Sequence, residues 1–219
     1  MIVSFSGIDG AGKSTQIREL ETWLNRSGFS TKILTFWDDV VVFSHYREFL
    51  SNRVFKGDQG IGSPEKPLNR RDKNVTSWPV TALRFCLYFA DALNLCVCVH
   101  SARKSDADIV IFDRYIYDEL ANLPLHRSVA RVFVWLALKL APTPDVAYFV
   151  DADPVAAFAR KPEYPLPFLR RNREAYIFLA ELAGDAVVIE PGCVATARMQ
   201  IRAEMLQKLS QPQQGFALQ

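Results

Sequence analysis

The sequence predicts an α/β fold built on a parallel sheet, and three observations lead to it. Short apolar, β-rich runs recur at Ile2 to Ser6, Thr31 to Thr35, Ile109 to Asp113, Val146 to Asp151 and Ala186 to Glu190. Helical patterns separate most of these runs, which is the rhythm of parallel strands joined by crossovers. The first run also passes through a glycine-rich turn straight into a helix, the junction that such folds use to hold phosphate.

At 219 residues the chain is long enough for one sizeable core. Residues 1–211 are expected to form a single domain, with an insertion at about 38–78, a short lid at about 160–171 and a flexible tail at 212–219. Hydrophobic residues make up 49% and charged residues 23%, an ordinary globular composition. A net charge of +2 is too small for a dedicated nucleic-acid binder, so no nucleic-acid partner is expected. Cys86, Cys96, Cys98 and Cys193 match neither a disulfide framework nor paired zinc knuckles and read as reduced core thiols. His45, His100 and His126 have no ligand or triad spacing. The start of the chain lacks the basic flank and long apolar core of a signal peptide. The apolar stretches at 85–99 and 129–150 are broken by Asp91, Asn94, Arg131, Lys139, Pro142 and Pro144, so no membrane span is expected and the protein reads as cytoplasmic.

The first helix is expected near Lys13, with Ile17, Leu20 and Leu24 on one face and an end at Gly28, a residue suited to a left-handed C-cap. A later helix carries Val129, Val132, Phe133, Leu136 and Leu140 as an inward stripe and ends before Pro142. Asp153-Pro154 reads as another helix start. The segments 38–78 and 161–167 break the rhythm. The first of these ends in Asn69-Arg70-Arg71-Asp72-Lys73-Asn74, a polar run with three cations.

Gly7-Ile8-Asp9-Gly10-Ala11-Gly12-Lys13-Ser14 satisfies the P-loop pattern GxxxxGK[ST] between a strand and a helix. Its glycines let the backbone curl so that successive N–H groups face phosphate oxygens, and the helix N-terminus adds partial positive charge. Lys13 would bring a full charge to the β and γ phosphates of a nucleoside triphosphate, Ser14 a hydroxyl to Mg²⁺, and Thr15 support for it. Lys13 is expected to act at a solvent-accessible loop and to support no core. Ile109 to Asp113 has the Walker B form, an apolar strand ending in a carboxylate, and Asp113 is the expected metal partner. Asp151 is a weaker rival for that role.

These residues resemble the thymidylate kinase family: the P-loop through Thr15, then Asp113-Arg114-Tyr115, then Pro144-Asp145, and Phe168 to Tyr176 after the lid, in order across nearly the whole chain. The resemblance implies a three-layer P-loop NTPase fold with a five-stranded parallel sheet wrapped by helices, plus a short lid. It also implies ATP and Mg²⁺, a nucleoside monophosphate or similar phosphorylated small acceptor, and often a homodimer. By position, Asp9 would touch the acceptor's sugar and Arg114 its phosphate. Gly10 stands where some members of the family carry an arginine, so the catalytic cation is expected from the lid, from Arg160, Lys161 or Arg171. On the acceptor side the chain departs from the family pattern. Phe36-Trp37-Asp38-Asp39 follows the second strand, Leu93 takes the place assigned to a base-contacting arginine, and Asn122-Leu123 follows Ala121. Those departures predict that thymidylate is a poor acceptor. A deoxynucleoside kinase and a non-catalytic nucleotide-binding regulator are the alternatives weighed against this reading.

Overall fold

The computed structural model describes residues 1–43 and 78–210. The proposed insertion falls mostly outside them, as do Arg70, Arg71, Lys73, His45 and the tail at 212–219.

Five strands form one parallel sheet: β1 (Ile2–Ser6), β2 (Thr31–Thr35), β3 (Ile109–Asp113), β4 (Val146–Val150) and β5 (Ala186–Ile189), in the order β2-β3-β1-β4-β5. All four pairings are parallel. Helices flank the sheet: α1 (Lys13–Arg26), α2 (Trp78–Arg103), α3 (Ile116–Leu120), α4 (Ser128–Leu140), α5 (Pro154–Arg160), α6 (Leu166–Ala183) and α7 (Val194–Ser210). The three central strands are almost wholly buried, as continuous apolar runs covered on both faces must be, while the edge strands β2 and β5 are partly exposed. The register pairs Phe5 with Asp113, so the P-loop leaves β1 beside the carboxylate that ends β3. In a parallel sheet with a strand-order reversal, that carboxyl edge is where ligands collect.

Local chemistry explains most element boundaries. α1 starts at Lys13 as expected and closes with Gly28 at φ 90°, the left-handed conformation glycine adopts without a Cβ clash. α5 starts behind Asp153, whose side chain accepts the Ala156 N–H at 2.8 Å. α6 begins at Leu166, earlier than the expected loop through 167, because Pro167 sits in its first turn, where a missing N–H costs nothing.

Three expectations need correction. The apolar stripe of α4 faces outward: Val129, Val132 and Leu136 are exposed, whereas Ala130, Val134 and Ala137 are buried. Small residues let α4 approach closely, and of the expected stripe Phe133 and Leu140 pack partly against the core, Phe133 stacking on Phe85 with ring centroids 4.4 Å apart. The cysteines are not core thiols; Cys86 and Cys193 are exposed and Cys96 and Cys98 half-buried. The Cys96 and Cys98 thiols donate to carbonyls of Leu140 and Asp39. Finally, Asp91 and Asn94 do not interrupt the 85–99 stretch. It lies in one continuous helix whose segment Thr81–Arg103, with an 18-residue window at mean hydropathy 1.6, is long and apolar enough to cross a membrane. In the fold Tyr88, Ala92, Leu95 and Val99 of this helix are buried. Asp91 accepts the Val42 N–H and Asn94 donates to the Val40 carbonyl, so both polar groups pin a π-helical turn, Phe36–Val40, against the helix. The helix is therefore built into the α/β layer through its polar residues as well as its apolar ones.

Candidate active site

The P-loop has the backbone its glycines were expected to supply. Gly7, Gly10 and Gly12 lie at φ 147°, 86° and 92°. At Gly7 and Gly10 close approach adds to this requirement, since a Cβ would collide with the carbonyls of Val150 and Ala157 respectively. The Gly10 contact explains why no arginine is accommodated there: α5 lies directly over the loop. Gly12 caps α1, which has no side-chain cap and no acidic residue in its first turn, so the helix terminus presents partial positive charge to an incoming anion. Ser14 and Thr15 are exposed on that first turn.

Lys13 departs from expectation. It is buried, and its ammonium donates to the carbonyls of Gly7 at 2.7 Å and Ile8 at 2.9 Å, bridging the loop it belongs to. Burial first and the Arg114 charge second lower its pKa to about 8, against the opposing pull of Asp9, Asp118 and Asp113. Asp113 is thus close enough to act electrostatically on Lys13. A carboxylate and a hydroxyl (Ser14) are hard oxygen donors of the kind Mg²⁺ takes alongside phosphate oxygens. Among the described residues no group of three or more acidic, His or Cys side chains is assembled for a metal. Ser14 and Asp113 are the oxygen donors that would fit a metal accompanying a nucleotide's phosphates. Asp151 is committed elsewhere: both its oxygens accept from Arg173, at 2.7 and 2.6 Å.

Arg114 follows Asp113 and sits at φ 73°, a left-handed conformation uncommon for a residue with a side chain. Its own N–H donates to the Phe5 carbonyl at 3.0 Å. The side chain pairs with Asp9 of the P-loop through Nη2 and with Asp118 of α3 through Nη1, the latter at 2.9 Å. Burial alone would lower the guanidinium's pKa, but the two carboxylates outweigh it and hold it well above its ordinary value. Asp118 also accepts from Ser6 Oγ at 2.6 Å, from the Tyr115 N–H at 3.2 Å and from the Tyr176 hydroxyl at 2.8 Å. Burial and the Asp118 charge push the Tyr176 phenol well up, so it remains a neutral donor.

The structure thus brings Asp9, Lys13 and Arg114 into one electrostatic cluster, with Asp113 beside it. Arg160 lies exposed at the end of α5, its Nε donating to the Ala156 carbonyl at 3.2 Å, and Arg171 is exposed on α6. Lys161 pairs with the buried Glu163 at 3.3 Å. Tyr164, Phe168, Leu169 and Phe158 form a small separate core beneath this connection, so the lid segment has apolar support of its own. Leu93 is half exposed on the outer row of α2 with Phe89 and Val97, whereas Asp91 and Ala92 are turned inward. Sequence reasoning missed Asp118, although an acid four residues after Arg114 on a helix start is the spacing at which such pairs meet.

No protein-family model matches the chain. It is similar to a probable thymidylate kinase of Methanosphaera stadtmanae, 27% identical over 196 residues, spanning 87% of this chain and 89% of that protein. It is likewise similar to a thymidylate kinase of Prochlorococcus marinus (strain AS9601), 26% identical over 227 residues and covering 95% and 96% of the two chains. A thymidylate kinase of Chlorobium luteolum is 28% identical over 179 residues, 80% of this chain and 73% of that one. At 26–28% identity over most of its length, and with a P-loop leaving the central strand of a five-stranded parallel sheet, the chain is distantly similar to these thymidylate kinases.

Proposed function

We propose that the chain is an ATP-dependent phosphotransferase that moves the γ-phosphoryl group of ATP to the phosphate of a nucleoside monophosphate. The observation that carries this is the pairing of Arg114 with Asp9. It sets a guanidinium suited to a second phosphate directly against the loop suited to the first.

In this reading the P-loop N–H groups and the α1 terminus cradle the donor's phosphates, and Lys13 exchanges its two carbonyl partners for phosphate oxygens. Ser14 and Asp113 would hold Mg²⁺, which when bound would supply positive charge to the donor's phosphates. Arg114 holds the acceptor phosphate in line, and Asp9 meets the acceptor's sugar hydroxyl. Arg160 and Arg171 supply positive charge from the lid side as the phosphoryl group moves. The transfer needs no covalent intermediate on the protein.

Two further features belong to the same reading. The outer faces of α2 and α4 carry Leu83, Phe89, Leu93 and Val97 beside Val129, Val132, Trp135 and Leu136, all exposed, a surface suited to a second copy in a homodimer. Packed in that way, α2 serves a soluble, cytoplasmic enzyme and not a membrane span.

The test is a coupled ATP-consumption screen over nucleoside monophosphates, thymidylate included, with the unphosphorylated nucleosides beside them. Turnover of one or more monophosphates, dependent on magnesium and lost in Arg114→Ala, is expected. Turnover of the bare nucleosides alone would instead identify a nucleoside kinase. Tight ATP binding with no transfer to any acceptor would identify a regulator.

A further inference from the structure

We propose that Asp118 is a positioning residue for the acceptor phosphate, holding the Arg114 guanidinium from behind while Asp9 is the carboxylate that the phosphate replaces. The inference rests on the reading of Arg114 given above.

The two carboxylates on Arg114 are not equivalent. The Asp118 side chain is 3% exposed, against 10% for Asp9. Each Asp118 oxygen accepts two hydrogen bonds: Oδ1 from Arg114 and Tyr176, Oδ2 from Ser6 and the Tyr115 N–H. These donors come from β1, from the start of α3 and from α6, so three separate elements fix the carboxylate. A carboxylate offers about four lone-pair sites, and all of them are filled here. Losing Arg114 would leave Asp118 a buried charge short of a partner, which is costly. Asp9, on the P-loop and on the opposite nitrogen, is the exchangeable ligand. Two carboxylates on one guanidinium leave a local excess of negative charge that opposes a phosphate. Exchange of Asp9 for phosphate removes that opposition and frees Asp9 for the acceptor's hydroxyl. Arg114 keeps one nitrogen on Asp118 throughout, and with it the left-handed backbone at φ 73° that aims the side chain over the loop.

The experiment uses the full chain as wild type, Asp118→Asn, Arg114→Ala and the double variant. Acceptor and ATP affinities are measured by calorimetry, kinetic constants by the coupled assay, and rotation of the Arg114 guanidinium by nitrogen-15 arginine NMR. Slow rotation is expected in the wild type, both free and saturated with inorganic phosphate. Asp118→Asn should make rotation fast and raise Kd and KM for the nucleoside monophosphate about tenfold, the loss of one charge-assisted bond, with KM for ATP within about twofold. In the Arg114→Ala background the same change should cost the acceptor nothing further. Fast rotation in the wild type overturns the proposal. So does slow rotation retained in Asp118→Asn, or an equal loss of acceptor affinity with and without Arg114. Should Asp118→Asn not fold, Tyr176→Phe, which removes one of the four donors, is expected to loosen the guanidinium part way, and unchanged rotation there counts against it. A wild type that transfers phosphate to no nucleoside monophosphate overturns the functional reading alone, because guanidinium rotation needs no turnover.

Discussion

ATP binding is expected to take up a proton at Lys13, with opposite effects of pH on affinity and on stability. The unliganded ammonium is buried and titrates at about 8. In the complex the triphosphate's charges hold Lys13 protonated, so affinity falls as the free protein loses that proton. For a free value near 8 and a bound value above 10, Kd for ATP rises about 25-fold between pH 7.5 and pH 9.5. The stability of the free protein moves the other way. The folded pKa lies below the ordinary value of 10.5, so the unfolded chain binds more protons between 8 and 10.5 and stability grows as pH rises through that window. From pH 7 to 9.5 the gain is about 2 kcal/mol. Above about pH 10 it is offset as the unfolded chain's tyrosines ionise, because Tyr115, Tyr148 and Tyr176 are held neutral by burial in the fold. Calorimetry in two buffers of different ionisation enthalpy reads the proton uptake directly, and denaturant titrations at pH 7, 8 and 9.5 read the stability. In Lys13→Arg, which stays charged throughout, the pH dependence of binding should vanish. A flat Kd from pH 7.5 to 9.5 with no proton uptake would refute this assignment of the Lys13 environment.

Asp113→Asn should weaken the magnesium dependence and lower turnover more than nucleotide affinity, read in a magnesium titration; unchanged activity would remove Asp113 from the metal role. Gly10→Ala should lower stability by about 2 kcal/mol or more, from the left-handed φ and the collision with the Ala157 carbonyl, and weaken ATP binding. Melting and calorimetry test it, and a wild-type profile would mean that α5 does not press on the loop. The Arg160→Ala, Arg171→Ala double variant should reduce turnover more than it raises KM for ATP; a retained turnover number places the catalytic cation elsewhere. Leu93→Glu with Trp135→Glu should convert a dimer to a monomer in sedimentation, and a monomeric wild type would sink the proposed interface.

The sequence by itself determined the α/β class, the strand positions and the phosphate loop, because each rests on local chemistry. A strand reads as a short apolar run, α1 as a stripe closed by Gly28, and the P-loop as glycines at fixed spacing before a helix. Asp113 was legible as a carboxylate closing an apolar strand. What lay beyond local reach was the direction in which side chains face and the partners they find. The α4 stripe looked like core on periodicity alone, yet the face that α4 buries was chosen by the small residues that allow close approach. The inward placement of Asp91 and Asn94 on α2 followed from the π-helical turn whose backbone they bind, which the sequence of the helix alone does not show. Lys13 looked like an accessible charge until the curled loop wrapped its own carbonyls around it. The Arg114 pairing lies within i,i+4 reach, but only tertiary structure could decide that Asp118 is a hub, since Ser6 and Tyr176 lie 112 and 58 residues away along the chain. Pairings over such separations depend on how the sheet orders its strands and how the helices pack on it, and no local pattern encodes them.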